Sequence, residues 1–423
     1  MSSIRPLLPL YITIGILLGG NGLQSTLIAL RGAAEGFSPT TIGFIGTAYF
    51  TGFLIGCLTV ARMLRAVGHI RVFAALAALV ASGSLMLVIL IDPVNWAIMR
   101  FLSGICFAGL FTTVESWLNA GSTNENRGRV LALYRVVDIS SVVGAQYVMA
   151  ATGTDGFLIF AIMAMMCALS LVPVSIGDRS NPKPPSDMRV DLSGVWAISP
   201  LACFGCAAIG MTNSAFRTVA PVYGELIGFS VTQVVTFMSV GIIGGVVMQY
   251  PLGQLSDRWD RRWVIMLTAA GAMLSALAIM LFAERDVARN FVLIFAFGSF
   301  AMPLYALSVA HANDFAREDQ YVKLAAGLLF FYSIGAMAGP LLASAMMQKF
   351  GPSGLFGTSA VIYFVLISVI LLRMRARKPV PSAMRTRFIP LLRTSPLFIR
   401  LARMAQSKAG KPHHHDGDTD GAG

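Results

Sequence analysis

The sequence predicts an all-α membrane protein with twelve transmembrane helices in two pseudo-symmetric six-helix bundles. Three observations carry that expectation. The chain is 56% hydrophobic and 12% charged, with mean hydropathy +0.72, whereas a soluble domain is about 25% charged. Lipid can solvate so much apolar surface; a water-soluble fold of 423 residues has no place to hide it. Twelve apolar stretches are long enough to span. The stretch GGNGLQSTLIALRGAAEGFSPTT, near residue 19, recurs in altered form as GMTNSAFRTVAPVYGELIGFSVTQ, near residue 210. Asn21 aligns with Asn213, and the run from Gly36 to Thr40 with the run from Gly228 to Thr232, both at an offset of 192 residues.

A spanning helix needs about 20 apolar residues. The first run starts at Leu7 at full length, with no small-residue cleavage site after a short core, so it reads as a span and not a signal peptide. The spans are expected near 7–30, 40–61, 71–91, 95–118, 129–151 and 156–177 in the first half. In the second half they fall near 196–220, 232–254, 263–283, 291–312, 324–348 and 353–373. Turn residues such as Asp92-Pro93 and Gly351-Pro352 punctuate them. The longest internal polar stretch, Asp178 to Ser193, is Pro-rich and falls at mid-chain. The expected organisation is therefore a bundle over 1–177, a cytoplasmic linker over 178–195, a bundle over 196–373 and a basic cytoplasmic tail over 374–423.

Lys and Arg placement sets the orientation. With the N-terminus in the cytoplasm, 14 of the 32 fall in the N-terminus and cytoplasmic loops, and 11 from Arg373 onward. Only Arg31, Arg285, Arg289 and Lys349 fall outside. Both termini are thus expected in the cytoplasm, in an inner membrane. Two thirds of the +12 net charge lies after the last span, so the basic balance does not point to nucleic acid. There Met384 to Met404 interleaves Arg with Leu, Ile and Phe, and Pro390 and Pro396 divide it. Binding to anionic headgroups and a solvated tail that only enforces topology both fit. Cys57, Cys106, Cys167, Cys203 and Cys206 lie in apolar runs and read as small buried side chains. No metal site is expected, either at Cys203–Cys206 or at His413-His414-His415.

The turn after the eighth span reads Gly253-Gln-Leu-Ser-Asp257-Arg258-Trp-Asp260-Arg261-Arg262. It resembles the GxxxDRxGRR signature of the major facilitator superfamily, with Asp260 where Gly is usual. The equivalent turn in the first half, Arg62 to Arg71, keeps Gly68 but has Arg65 where the signature has Asp. The fourth span opens Arg100-Phe-Leu-Ser-Gly104, similar to the family's fourth-helix arginine motif. Gly335-Ala-Met-Ala-Gly339-Pro340 is similar to its antiporter Gly-Pro motif but sits in the eleventh span, not the fifth, which has Gly144-Ala-Gln146. Antiport is therefore not supported. The runs 114–119 and 303–315 resemble the YcaD-like bacterial branch. The resemblance implies alternating access, with spans 1, 4, 7 and 10 lining a central cavity and 3, 6, 9 and 12 facing lipid.

The polar residues agree with that assignment independently. Between their ends, the four candidate outer spans carry no ionisable side chain. Such a group costs several kcal/mol at mid-membrane unless paired or wet (order of magnitude). The candidate substrate-binding set is Asn21, Gln24, Arg100, Asn213, Arg217 and His311. Arg217 faces Asn213 one turn away and would favour an anionic or carboxylate-bearing substrate, or else snorkel to the outer headgroups. Asn21 and Asn213 fit substrate contact and helix-crossing hydrogen bonds equally. Arg100 fits a structural or a proton-coupling role, the structural one being favoured. Glu115, Asp138 and Arg135 are the proton-coupling candidates; burial raises a carboxylate pKa, and Asp138 can instead form a static pair with Arg135.

The signature turns suggest a cytoplasmic gate. Asp257, with Arg258 and Arg261 on its own turn, is expected to face Arg127 and Arg129 at the start of the fifth span. Arg62 and Arg65 are expected to face Asp314, Glu318 and Asp319 before the eleventh. Each contact pairs opposite signs and would latch an outward-open state. No ATP-binding motif and no catalytic constellation at one depth is evident, so neither a cofactor nor an enzyme is expected. The reading is a secondary transporter of a small solute, monomeric, with protons as candidate coupling ions. The alternative is a transporter-like sensor or scaffold that binds a ligand without moving it.

Overall fold

The computed structural model describes residues 7–122, 126–177, 191–283, 286–317 and 320–376, with Arg385 and Phe388; the side chains of residues 127, 128 and 322 are not described. The described residues contain helices and no strands, as a bilayer demands of a single chain that is not a barrel. The first half is built from α1 (Leu8–Ala34), α2 (Pro39–Val67), α3 (His69–Ile89), α4 (Pro93–Ala120) and α5 (Arg127–Thr152). Its sixth span is broken at Ser170 into α6 (Leu158–Leu169) and α7 (Leu171–Gly177).

The second half enters through α8 (Leu192–Ile198), which turns 110° into α9 (Pro200–Leu226). It begins inside the stretch read as a linker. Asp191 caps it through the Gly194 N–H at 2.9 Å, and that bond, helped by the Ser193 hydroxyl, holds the carboxyl below its usual range. Ser199 then caps α9, which runs to Leu226, beyond the expected end at 220. Next come α10 (Val231–Arg258), and α11 (Arg261–Ala278), extended by the π-turn Ile279–Ala283. The tenth span is divided by Met302-Pro303 into α12 (Val287–Ala301) and α13 (Leu304–Asn313), since a proline N cannot continue the ladder. The last spans are α14 (Tyr321–Phe350) and α15 (Gly354–Ala376). Ten described helices are long and apolar enough to cross a membrane, and the bent α8–α9 pair is an eleventh. The twelfth, α5, is a 26-residue helix carrying Arg127, Arg129, Arg135 and Asp138.

The repeat is visible in the packing. The pairs α1·α5, α2·α4, α3·α4, α3·α6 and α1·α6 recur as α9·α14, α10·α12, α11·α12, α11·α15 and α9·α15. Two reciprocal glycine contacts recur as well. A Cβ on Gly52 would strike the Phe101 carbonyl, and one on Gly104 the Tyr49 carbonyl. In the second half Gly244 abuts the Phe295 carbonyl and Gly298 the Gly241 carbonyl in the same way. These glycines let α2 cross α4, and α10 cross α12, at backbone distance. Such close approach is how membrane helices gain packing energy without a hydrophobic driving force.

Leu7 and Ala376 lie on the same face, here called the terminal face, because twelve crossings return the chain to its starting side. Between halves, packing runs through α2·α14, α5·α10, and α9 against α1 and α2. The contacts at the opposite face are tight. Thr40 bonds Gln348 at 2.6 Å, Thr47 bonds the Met337 carbonyl at 2.8 Å, and the Tyr147 and Thr236 hydroxyls lie 3.4 Å apart. Gly43 has no room for a Cβ beside Ser344 and Pro340, nor Gly46 beside Thr218. The exception in depth is Arg135, which donates to Gln249 at 3.5 Å, nearer the terminal face.

Candidate functional site

Arg100 and Arg217, from opposite halves, lie within electrostatic range of each other. Arg100, on α4, is 2% exposed. Its Nη1 donates to Gln24 Oε1 at 2.6 Å and its Nη2 approaches Ser25 Oγ at 3.5 Å, both on α1. Tyr49, brought close by the glycine crossing of α2 over α4, covers the guanidinium at 4.2 Å from its ring centroid. That cation–π contact offsets part of the cost of burying the charge. Arg217, on α9, is near enough to repel Arg100 electrostatically and also acts on Tyr332 of α14.

The two repeat-related asparagines each engage a tyrosine hydroxyl. The Tyr49 hydroxyl donates to Asn21 Oδ1 at 3.0 Å, and Asn213 Nδ2 donates to the Tyr332 hydroxyl at 2.9 Å. Tyr305 of α13 stacks edge-on against Tyr332 with centroids 5.5 Å apart. Asn21, Gln24, Arg100, Asn213 and Arg217 thus share one cluster, walled by Tyr49, Tyr305 and Tyr332. The tyrosines carry no sequence signal of their own, since each reads as one more aromatic in an apolar run. Asn213 and Arg217 stay partly exposed although α9 is packed by α1, α2, α10, α13, α14 and α15.

His311 does not join them. It lies in the last turn of α13, buried at 6% exposure and edge-on to Phe315 at 5.1 Å. Arg217 sits well along α9 from the terminal face, so the two differ in depth by roughly 20 Å at 1.5 Å per residue. Assigning His311 to a cavity-lining span fixed its helix but ignored its depth.

Glu115 is buried at 3% exposure near Cys57, toward the terminal end of α4. Asp138 is half-buried on α5 and lies within electrostatic range of Arg135. The charges of the signature turn are joined differently from the latch expectation. Arg261, 1% exposed, bridges Asp257 at 2.8 Å and Asp314 at 2.9 Å, and also donates to the Ala310 carbonyl. Among the described side chains, Asp257 therefore pairs inside its own half. Its second partner is the Phe388 N–H at 2.8 Å, while Arg385 donates to the Trp259 carbonyl at 2.6 Å. The Phe388 ring lies directly over Gly253, where any side chain would collide. Arg62, Arg65, Arg129 and Arg258 are exposed. The side chain of Arg127, and Glu318 and Asp319, lie outside the described residues. The cross-half pairs are expected of an outward-open state, whereas the tight contacts between the halves here lie at the opposite face.

The chain matches the Major Facilitator Superfamily over residues 10–286. It is 27% identical over 384 residues to an uncharacterized MFS-type transporter of Enterobacter sp. strain 638, covering 90% of this chain and 98% of that one. It is 25% identical over 381 residues to the uncharacterized MFS-type transporter YcaD of Escherichia coli O45:K1, with the same coverage. Among solved structures, it resembles the nucleoside transporter NupG with a TM-score of 0.72 at 12% identity, covering 88% of this chain and 100% of that one. It also resembles a bacterial homolog of the human lysosomal transporter Spinster, in an inward-facing and occupied conformation, with a TM-score of 0.69 at 15% identity. That match covers 90% of this chain and 97% of that one. These two likenesses concern the fold, and the family match concerns the sequence itself: the chain belongs to the Major Facilitator Superfamily, a family of multi-pass membrane transporters.

Proposed function

We propose that the chain moves a small solute across the inner membrane by alternating access, its six-helix halves rocking about the Arg100–Arg217 cluster. The observation that carries this reading is a charged, partly exposed cluster between two repeats that meet tightly beyond it, at one face. Lys and Arg placement makes the terminal face cytoplasmic. The conformation described then corresponds to the inward-facing member of the cycle. In the outward-facing member the terminal ends would close. Asp257 would exchange its present partners for the start of α5, and Arg62 and Arg65 would meet the acidic segment of Asp314, Glu318 and Asp319. Each exposed pair contributes only about 0–1 kcal/mol, which is enough to bias two states of similar energy.

Glu115 and Asp138, with Arg135 beside the latter, are the groups we assign to proton coupling. A buried carboxylate can take up a proton when its desolvated charged form becomes too costly. One chain encloses the whole cluster, which supports action as a monomer. The test is reconstitution in proteoliposomes with a ligand identified by thermal shift over a metabolite panel. Uptake against its own gradient when an inward proton gradient is imposed is the expected result. Specific binding without uptake would make the chain a membrane sensor and end the transporter reading.

A further inference from the structure

Around the arginine pair, several buried donors have no acceptor among the described residues. Arg100 has one amide oxygen and one distant hydroxyl as partners, and no carboxylate among the described residues. Its Nε–H is buried without an acceptor among the described residues. Among the described residues, the amide nitrogen of Gln24, whose oxygen is already taken by Arg100, is buried without a partner too, as is the Tyr305 hydroxyl. Arg217 has no hydrogen bond or ion pair among the described residues, yet stands close enough to Arg100 to repel it. Two guanidinium groups in a low-dielectric space, each always charged, need a counterion. No side chain in the described cluster supplies it.

We propose that the missing counterion is the cargo: an organic acid whose carboxylate sits between Arg100 and Arg217, with its planar apolar part between Tyr49 and Tyr332. This rests on the transporter reading only for the word cargo; the anion site itself does not need it. Arg217 and Arg100 present planar forks suited to a two-oxygen carboxylate. Gln24 occupies one edge of the Arg100 fork and Tyr49 covers one of its faces, leaving the Nε edge for the oxygens of a carboxylate. Tyr332 acts on both sides of the site, bonding Asn213 and lying within electrostatic range of Arg217 and Tyr49. Tyrosine rings of that kind favour a flat partner over a branched one.

The experiment measures thermal stabilisation of the purified full chain by benzoate, 4-hydroxybenzoate, phenylacetate and indole-3-acetate. Benzamide and benzylamine serve as neutral and cationic controls. Carboxylates should stabilise and the controls should not. Arg217→Gln should weaken the best carboxylate at least tenfold while raising the melting temperature of the ligand-free protein, because a repelling charge is gone. A purely structural arginine would lower it. Arg217→Lys should keep part of the affinity, since charge survives and the fork does not. Stabilisation by none of the four carboxylates, or equal stabilisation by benzamide, overturns the proposal. Uptake of the best binder into proteoliposomes separates the two claims: binding without uptake leaves the anion site and removes transport. Uptake of a neutral solute with no carboxylate binding does the reverse.

Discussion

Replacing Gly43 by valine should pry the halves apart at the face opposite the termini. Gly43 on α2 lies against Ser344 and the Pro340 carbonyl of α14, so even a Cβ has no room. The partner atoms include backbone, which cannot swing away as a long side chain would. Forcing extra methyl groups into a packed contact costs about 1–3 kcal/mol. Here the cost falls only on the conformation in which α2 and α14 touch, so it appears as a population shift. At 1.4 kcal/mol per tenfold, the equilibrium moves about 5- to 140-fold toward the state with that face open. The assay uses protein with its five native cysteines replaced and one cysteine introduced at Ala207, which is half-buried on α9 toward the terminal face. In inside-out and right-side-out vesicles, a membrane-impermeant maleimide should label it more slowly from the terminal side after Gly43→Val. Gly104→Ala is the control, because its clash with the Tyr49 carbonyl is inside one half. It should lower the melting temperature and leave the sidedness of labelling alone. Unchanged labelling in Gly43→Val, or an equal shift in Gly104→Ala, would refute the idea that the halves move as units about this seam.

Other consequences can be measured directly. Arg261→Ala leaves Asp314 buried at 3% side-chain exposure without its bridging cation. A loss of about 3 kcal/mol is expected, read as a lower unfolding midpoint; Arg258→Ala, at an exposed position, should cost under about 0.5 kcal/mol. Ending the chain after residue 384 removes the Phe388 ring from Gly253 and the N–H from Asp257. Burial of a phenylalanine contributes about 1.5–3 kcal/mol, so hydrogen exchange over 253–258 should quicken by more than tenfold. Glu115→Gln should abolish uptake driven by a proton gradient while ligand exchange at equal concentrations continues; retained gradient-driven uptake would exclude Glu115 as the coupling group.

Much of the fold can be read from sequence because lipid imposes long apolar helices and the two halves repeat. Asn21 and Asn213 carry that repeat into the site itself, and each does hold a tyrosine hydroxyl. Arg100 and Arg217 stand out as charges in apolar runs, but their meeting is not legible, since nothing local links α4 to α9. Tyr49 and Tyr332 are hidden for a different reason: only their neighbours distinguish them from structural aromatics. Arg261 appears among the gate residues, yet its role as a bridge within one half depends on which faces are closed. A sequence that encodes two packings does not declare which is occupied. The docking of Arg385 and Phe388 is equally invisible, because an arginine-rich run with scattered apolar residues suits a lipid surface as well as a protein one.

The short rod α8, turned back from α9, is pinned where Val195 presses on Gly327 of α14. The second half is therefore fixed from Asp191 onward, not from Pro200. Residues inserted ahead of Asp191 leave the Val195–Gly327 contact in place and should be tolerated. The same insertion between Ile198 and Pro200 would unseat a lever arm, which makes this joint a poor place to split or tag the protein.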